Sequence, residues 1–191
     1  MPLAEKLHQE SDPGRWEIPL FVSQAFFLTT TDHAGNPHLE PVTRLFPLPG
    51  PPPLVGLVLA EKTLARRHLA KSKEFVVNLV PATLALAFWQ SGEPTRTGLE
   101  RIGRLGLTLE PSRKVAPPRI AECQAHLECR VTERKPLPGA VLYVAEIVET
   151  GVGRDVAWGT LRERFKALAP LLWLKEEEEY FCEPKAPRRA R

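Results

Sequence analysis

The chain has 191 residues, 43% of them apolar and 26% charged, which is the composition of a folded globular protein and excludes a disordered or collagen-like one. A chain of this length buries about 70% of the surface its unfolded form exposes, so neither a metal nor disulfides are needed to hold a core. The formal net charge of +3 tolerates anionic ligands but does not call for nucleic acid or a membrane as the partner.

The N-terminal stretch "MPLAEKLHQESDPGRW" is charged throughout and lacks the apolar core of a secretory signal, so residues 1–17 read as a loose arm. Next, "LFVSQAFFLTTT" is rich in β-branched and aromatic residues and predicts a buried strand. Asp32 and Gly35 in "DHAG" punctuate a turn. A returning strand is expected over about 38–46. It is mostly polar and broken by Pro41, unlike the alternating apolar strand that a plain hairpin would show. "PLPGPPP" ends it in a rigid loop. The continuous apolar run at 54–60 has strand length and reads as buried on both faces.

The pattern then changes to good helix formers behind Thr63, which predicts a short helix over about 64–72 with Thr63 as its N-cap. A strand follows at 74–80, then a helical "ATLALAFWQ", then a loop-like stretch from 91 to 118. In "IAECQAHLECRVT" the residues Ala121, Cys123, Ala125, Leu127, Cys129 and Val131 alternate with polar ones. This predicts a strand with one dry face and one wet or partner-facing side. "KPLPG" turns it into a further strand, "AVLYVAEIVE". A helix is expected near 160–168, and a basic tail occupies 183–191. Many strands, few helices and no internal repeat point to a closed or partly closed barrel.

Three cysteines, Cys123, Cys129 and Cys182, are odd in number and form no CxxC, so reduced thiols and a cytoplasmic location are expected. No apolar run approaches the roughly 20 residues of a membrane span. Twenty prolines, one methionine and two asparagines suit a heat-adapted source.

Two clusters carry candidate chemistry. The free backbone N–H groups behind Thr63 favour an anion, and Lys62, Arg66 and Arg67 add positive charge close by. The same residues also read as a solvated basic face. His126, between Gln124 and Glu128, is a lone histidine far short of a metal-ligand set. No nucleophile–base pair, zinc spacing, P-loop or GxGxxG is present, so no catalytic or metal residue is assigned.

Four motifs in order resemble the flavin-reductase-like family of FMN-binding split barrels, its flavoredoxin-like branch above all. They are "TTTDHAGNPHLEPVTRLF", "KTLARRHLAKSKEFVVNL", "RIAECQAHLECRV" and "LAPLLWLKEEEEYF", together spanning roughly residues 18–182. The resemblance implies a mainly β, Greek-key-like split barrel with a few short helices, filling residues 1–191 as a single domain. It implies FMN near the interface of a homodimer, with the ring against the second strand and the phosphate at the start of the helix. The residues so implicated are Thr30, His38, Glu40, Pro41, Val42 and Thr43 on the strand side, and Lys62, Thr63, Arg66, Arg67 and His68 on the helix side. His38 and His68 stand where the family commonly has asparagine. The glycine-aspartate-histidine motif of the NAD(P)H-dependent branch is missing from "LPGAVLYV". A flavoprotein that passes electrons to or from a redox partner is therefore expected. The alternative is an NAD(P)H-dependent flavin reductase that supplies reduced flavin to a partner. A barrel that uses its basic helix to hold single-stranded nucleic acid is the non-enzyme alternative, weakened by the absence of interleaved aromatics.

Overall fold

The computed structural model describes residues 22–93, 95, 97–174 and 180–182, so the expected arm (1–17) and basic tail (183–191) lie outside the described residues. In chain order the strands are β1 (Val22–Gln24), β2 (Phe26–Thr31), β3 (Pro37–Val42), β4 (Leu45–Leu48), β5 (Leu54–Ala60), β6 (Glu74–Leu79), β7 (Leu109–Glu110), β8 (Arg119–Ile120), β9 (Ala125–Leu137), β10 (Ala140–Val152), β11 (Leu172–Leu174) and β12 (Tyr180–Cys182). The α-helices are α1 (Leu64–Ser72), α2 (Ala85–Ser91), α3 (Gly98–Arg104), α4 (Arg154–Ala157) and α5 (Leu161–Leu168).

The main sheet has seven antiparallel strands in the order β3-β2-β6-β9-β10-β5-β4. Its outermost strands, β3 and β4, are joined by only Thr43 and Arg44, and three peptide steps reach at most roughly 11 Å. The two edges must therefore meet at that end, which rolls the sheet into a barrel. The expected single strand at 38–46 is accordingly two: one half pairs with β2 and the other with β5. The strand expected at 20–31 also divides, at Ala25. Its N–H donates to the Leu171 carbonyl while its own carbonyl accepts the Val80 N–H, so the chain changes sheets there. β1 joins β11 and β12 in a small sheet of its own.

Period-two alternation in β2 serves two cores. Phe26 and Leu28 enter the barrel interior with Val42, Leu57, Phe75 and Tyr143. Phe27 points outward into a second core with Leu39, Phe88, Ile102, Ile120 and Leu171. Helix α1 plugs the barrel: Thr63 caps it, Lys73 ends it in the left-handed region at φ 56°, and Ala65 and Leu69 turn inward.

Two expectations need correction. The stretch 91–118 contains α3, started by Thr97, whose hydroxyl accepts the Glu100 N–H. Gly98 lets this helix lie directly on β3, since a Cβ there would collide with the Pro37 carbonyl and the His38 backbone. The polar side of β9 is wet only in part: Arg130 and Thr132 are exposed, but the polar residues before them in the strand are not. His126 is 8% and Glu128 1% exposed, because the segment between β7 and β8 folds over them.

Candidate functional site

The β2–β3 hairpin places Thr30 directly across from His38, and Leu28 across from Glu40. His38 and Glu40, two residues apart, share the face that meets α1. Oγ1 of Thr30 lies 3.0 Å from Nδ1 of His68, one helical turn beyond Ala65 on α1. The rings of His38 and His68 meet edge to face with centroids 5.4 Å apart. Nε2 of His38 is 3.7 Å from Oε2 of Glu40, and the same carboxylate oxygen accepts the Ala65 N–H at 3.3 Å. Burial holds His68 below the ordinary imidazole range, and the charge of His38 pushes the same way against Asp32 and Glu40.

The start of α1 therefore already has an anion, the Glu40 carboxylate, delivered by the neighbouring strand. Two cavities flank α1. One, of about 360 Å³, is lined by Asp32, Asn36, His38, Leu64 and His68 on one side and by Gly98, Leu99 and Arg101 of α3 on the other. The second, of about 460 Å³, is lined by Arg66, Arg67, His68 and Lys71 of α1 with Arg134 and Tyr143. They share Asp32, Leu64 and His68, so they form one bent cleft around the exposed side of α1. In its second limb four cations face a single carboxylate, that of Asp32. Tyr143 is raised by burial, opposed by the charges of Arg66 and Arg134. Apolar surface at Leu64, 41% exposed, borders both limbs, and Leu99, 54% exposed, lines the first. A ligand with a flat apolar body and an anionic end fits this donor set, and the volumes are those of ordinary small-molecule sites.

Of the residues singled out from the sequence, His38, Arg66, Arg67 and His68 line the cleft, and Thr30 and Glu40 stand behind it as partners of His68 and of the helix start. Pro41, Val42, Thr43, Lys62 and Thr63 line neither cavity. Val42 is buried in the barrel core, and Thr63 is occupied with Ala60 and Arg66. Pro41 sits in an edge strand, where a missing N–H is tolerated. Sequence reasoning missed Arg101. Its Nη1 donates to the Leu39 carbonyl at 2.8 Å, tying α3 to β3, while its Nε is buried without a partner among the described residues. The signal was the threonine-x-x-glutamate at 97–100, a helix-start signature inside the stretch read as loop.

The profile of the family described as flavin reductase like domain matches residues 20–178. The chain belongs to this family. A flavin cofactor or substrate is implied by that membership. Among the relatives of this flavin-reductase-like chain is the reductase component of 4-nitrophenol 4-monooxygenase/4-nitrocatechol 2-monooxygenase from Rhodococcus opacus. It is 26% identical over 148 residues, covering 75% of this chain and 74% of the relative. Flavoredoxin of Desulfovibrio vulgaris superposes with a TM-score of 0.78 at 16% identity over 94% of this chain and 97% of its own. A Shewanella frigidimarina protein described as a flavin reductase with split barrel domain gives 0.80 at 17% identity, over 98% and 96%. At these identities the structural likeness is one of fold, and it makes this sheet a split barrel. Among the described residues no helix is long and apolar enough to cross a membrane.

Proposed function

We propose that this chain is an FMN-binding oxidoreductase of the flavoredoxin kind, working in the cytoplasm as a homodimer with the flavin near the subunit interface. The observation that carries this reading is the bent cleft around α1 in a chain of this family. One limb offers Arg66, Arg67, Lys71 and Arg134 to an anion, and the other offers the His38–His68 pair beside Leu64 and Leu99. Arg66 and Arg67 would hold the phosphate, because guanidinium groups fork onto its oxygens. His68, fixed by Thr30, and His38, beside Glu40, would present imidazole edges to the polar rim of the ring system. When bound, the flavin supplies the hydride and electron chemistry. The chain supplies binding, orientation and the exclusion of water. Its buried thiols are not part of this: burial pushes both Cys123 and Cys129 up to about 12, so neither is a nucleophile near neutral pH.

The first test is the visible spectrum of the protein purified without added cofactor, with heat release and identification of the chromophore. Stoichiometric FMN supports the proposal. A colourless protein that also refuses added FMN overturns it. Sedimentation of the same sample tests the dimer.

A second reading is supported by the names of the Rhodococcus and Shewanella proteins: an NAD(P)H-dependent flavin reductase that hands reduced flavin to a partner. Anaerobic titration with NADH and NADPH separates the two. Rapid bleaching of the flavin favours the second reading, and its absence favours electron exchange with a redox protein. For single-stranded nucleic acid, the lining of the basic limb includes no phenylalanine or tryptophan, and its tyrosine, Tyr143, is 1% exposed.

A further inference from the structure

At the far end of the barrel, the start of β9 and the end of β10 enclose another cavity, of about 470 Å³. His126 lines it and is 8% exposed. Its Nε2 lies 2.9 Å from the Ile120 carbonyl oxygen. A carbonyl only accepts, so Nε2 carries the proton, and in the neutral ring Nδ1 is a bare acceptor. Burial keeps the ring neutral by holding it below the ordinary imidazole range. Among the described residues no side chain or backbone group donates to Nδ1.

Arg119 reaches the same place from β8. Its Nη2 is 3.4 Å from Oε2 of Glu110, and its Nε is buried with no partner among the described residues. Its Nη1 and Nδ1 of His126 flank one spot, the position a side chain would take at Gly151. A Cβ there would stand 3.5 Å from Nη1 and 3.6 Å from Nδ1. Gly151 is in β10, directly opposite His126 in the ladder, and its φ is not in the left-handed region, so its backbone does not require glycine. Glycine inside a strand weakens it and marks a place where something approaches closely. Here the missing side chain leaves a donor and an acceptor facing one opening. Arg113 adds positive charge to the lining, and Glu149 is its one carboxylate.

We propose that this cavity is a second ligand site, distinct from the cleft around α1, for a phosphate that keeps a hydroxyl. One phosphate oxygen accepts from Nη1 of Arg119 while its P–OH donates to Nδ1 of His126. Free hydrogenphosphate and a protonated phosphate monoester share that edge, and the volume leaves room for a small organic group on the ester. Sulfate has the charge and shape but no proton to donate.

The test is an NMR titration of the ¹⁵N-labelled full-length protein near pH 6.5 with inorganic phosphate, glycerol phosphate and sulfate, following the Gly151 amide and the Arg119 Nε–H. Phosphate should shift both signals saturably, with sulfate about 10-fold weaker or worse, the worth of one good hydrogen bond to a charged group. Tighter binding of glycerol phosphate than of inorganic phosphate assigns the ester, and the reverse assigns the free ion. Gly151→Ala fills the opening at ordinary contact distances. It should weaken phosphate about 10-fold or more while thermal stability and flavin binding stay as they were. Arg119→Gln gives an independent reading of the same loss. No saturable shift with phosphate leaves a water-filled cavity and overturns the proposal. So does an equal response to sulfate, undiminished binding in both variants, or loss of flavin binding in Gly151→Ala.

Discussion

The barrel buries polar side chains in two places, and it treats them differently. Under the segment that joins β7 to β8, Glu128 takes the N–H groups of Arg113 and Lys114 at 2.9 and 2.7 Å. Asn78 donates to the Phe27 carbonyl at 3.1 Å and accepts from the Ile120 N–H at 2.9 Å. Each is tied to backbone, and together they hold a loop on the barrel wall. Beside α1, Thr30, His38, Glu40 and His68 are tied mostly to one another, and the two histidines open on a cleft. Backbone-bound polar groups have their capacity consumed by architecture. Groups bound to other side chains keep an edge free for a ligand. The same contrast isolates His126, one nitrogen of which serves the fold while the other faces a cavity.

The sharpest way to break this comparison is to truncate one member of each cluster. Glu128→Ala removes the acceptor of two part-buried N–H groups and empties a site that is 1% exposed. It should cost about 3 kcal/mol in urea unfolding. His68→Ala, at a half-buried residue with one side-chain partner, should cost about 1 kcal/mol and act mainly on flavin affinity. Equal stability losses from the two would remove the distinction.

The cations of the cleft come next. Arg66→Ala and Arg67→Ala should each weaken FMN by about 10- to 100-fold, and more steeply at low salt, because charge-assisted phosphate contacts are lost and are screened by ions. The flavin-free protein should lose no more than about 0.5 kcal/mol, since neither side chain enters the core. Flavin fluorescence titration against ionic strength reads the first effect and urea unfolding the second.

How far the sequence carries into these two regions depends on whether the information is local. Helix α1 is legible with its cap, because Thr63 and a run free of β-branched residues act within one turn. So are β5, β6 and the β9–β10 hairpin, although β9 starts at Ala125 and not at Ile120, where the alternating run begins. The division of the strand at Thr43 and Arg44 is not, because period two is the same whether a strand pairs with β2 or crosses to β5. Nor is the covering of Glu128. Alternation reports which residues share a face, and what lies over that face is tertiary. In the cleft, a basic helix is visible as composition. That Glu40 reaches its first turn required β3 to be packed against it.

Acid should act on both regions with the same sign. His68 and His126 are both held below the ordinary imidazole range, mainly by burial. The folded state then binds fewer protons than the unfolded one. Stability is fully present above the unfolded value near 6.5 and falls as pH drops below it toward the folded values. His126→Gln should flatten the slope at the far end without altering the pH dependence of flavin binding. His68→Gln should alter both. Denaturant midpoints and flavin titrations at a series of pH values between about 7.5 and 5 check this.

The smallest expected effect concerns helix starts, and it carries the same lesson to a single hydrogen bond. Thr63 and Thr160 both cap helices, but their surroundings differ. Thr160 is in a reciprocal box with Glu163: its hydroxyl accepts the Glu163 N–H at 3.3 Å, and its own N–H meets the Glu163 carboxylate at 2.8 Å. That carboxylate is held below its ordinary range by the Thr160 N–H and then by the Thr160 hydroxyl, both of which donate to it. At α1 the Thr63 hydroxyl accepts at a long 3.4 Å, and Glu40 of β3 already takes the Ala65 N–H. Removing the hydroxyl should therefore cost about 1 kcal/mol at Thr160→Ala but about 0.5 kcal/mol at Thr63→Ala. The smaller number should grow toward the larger in a Glu40→Leu background, because among the described residues Thr63 is then the one side chain left accepting at that helix start. Additive losses in that double mutant, read from urea midpoints, would mean that Glu40 does not share the capping of α1.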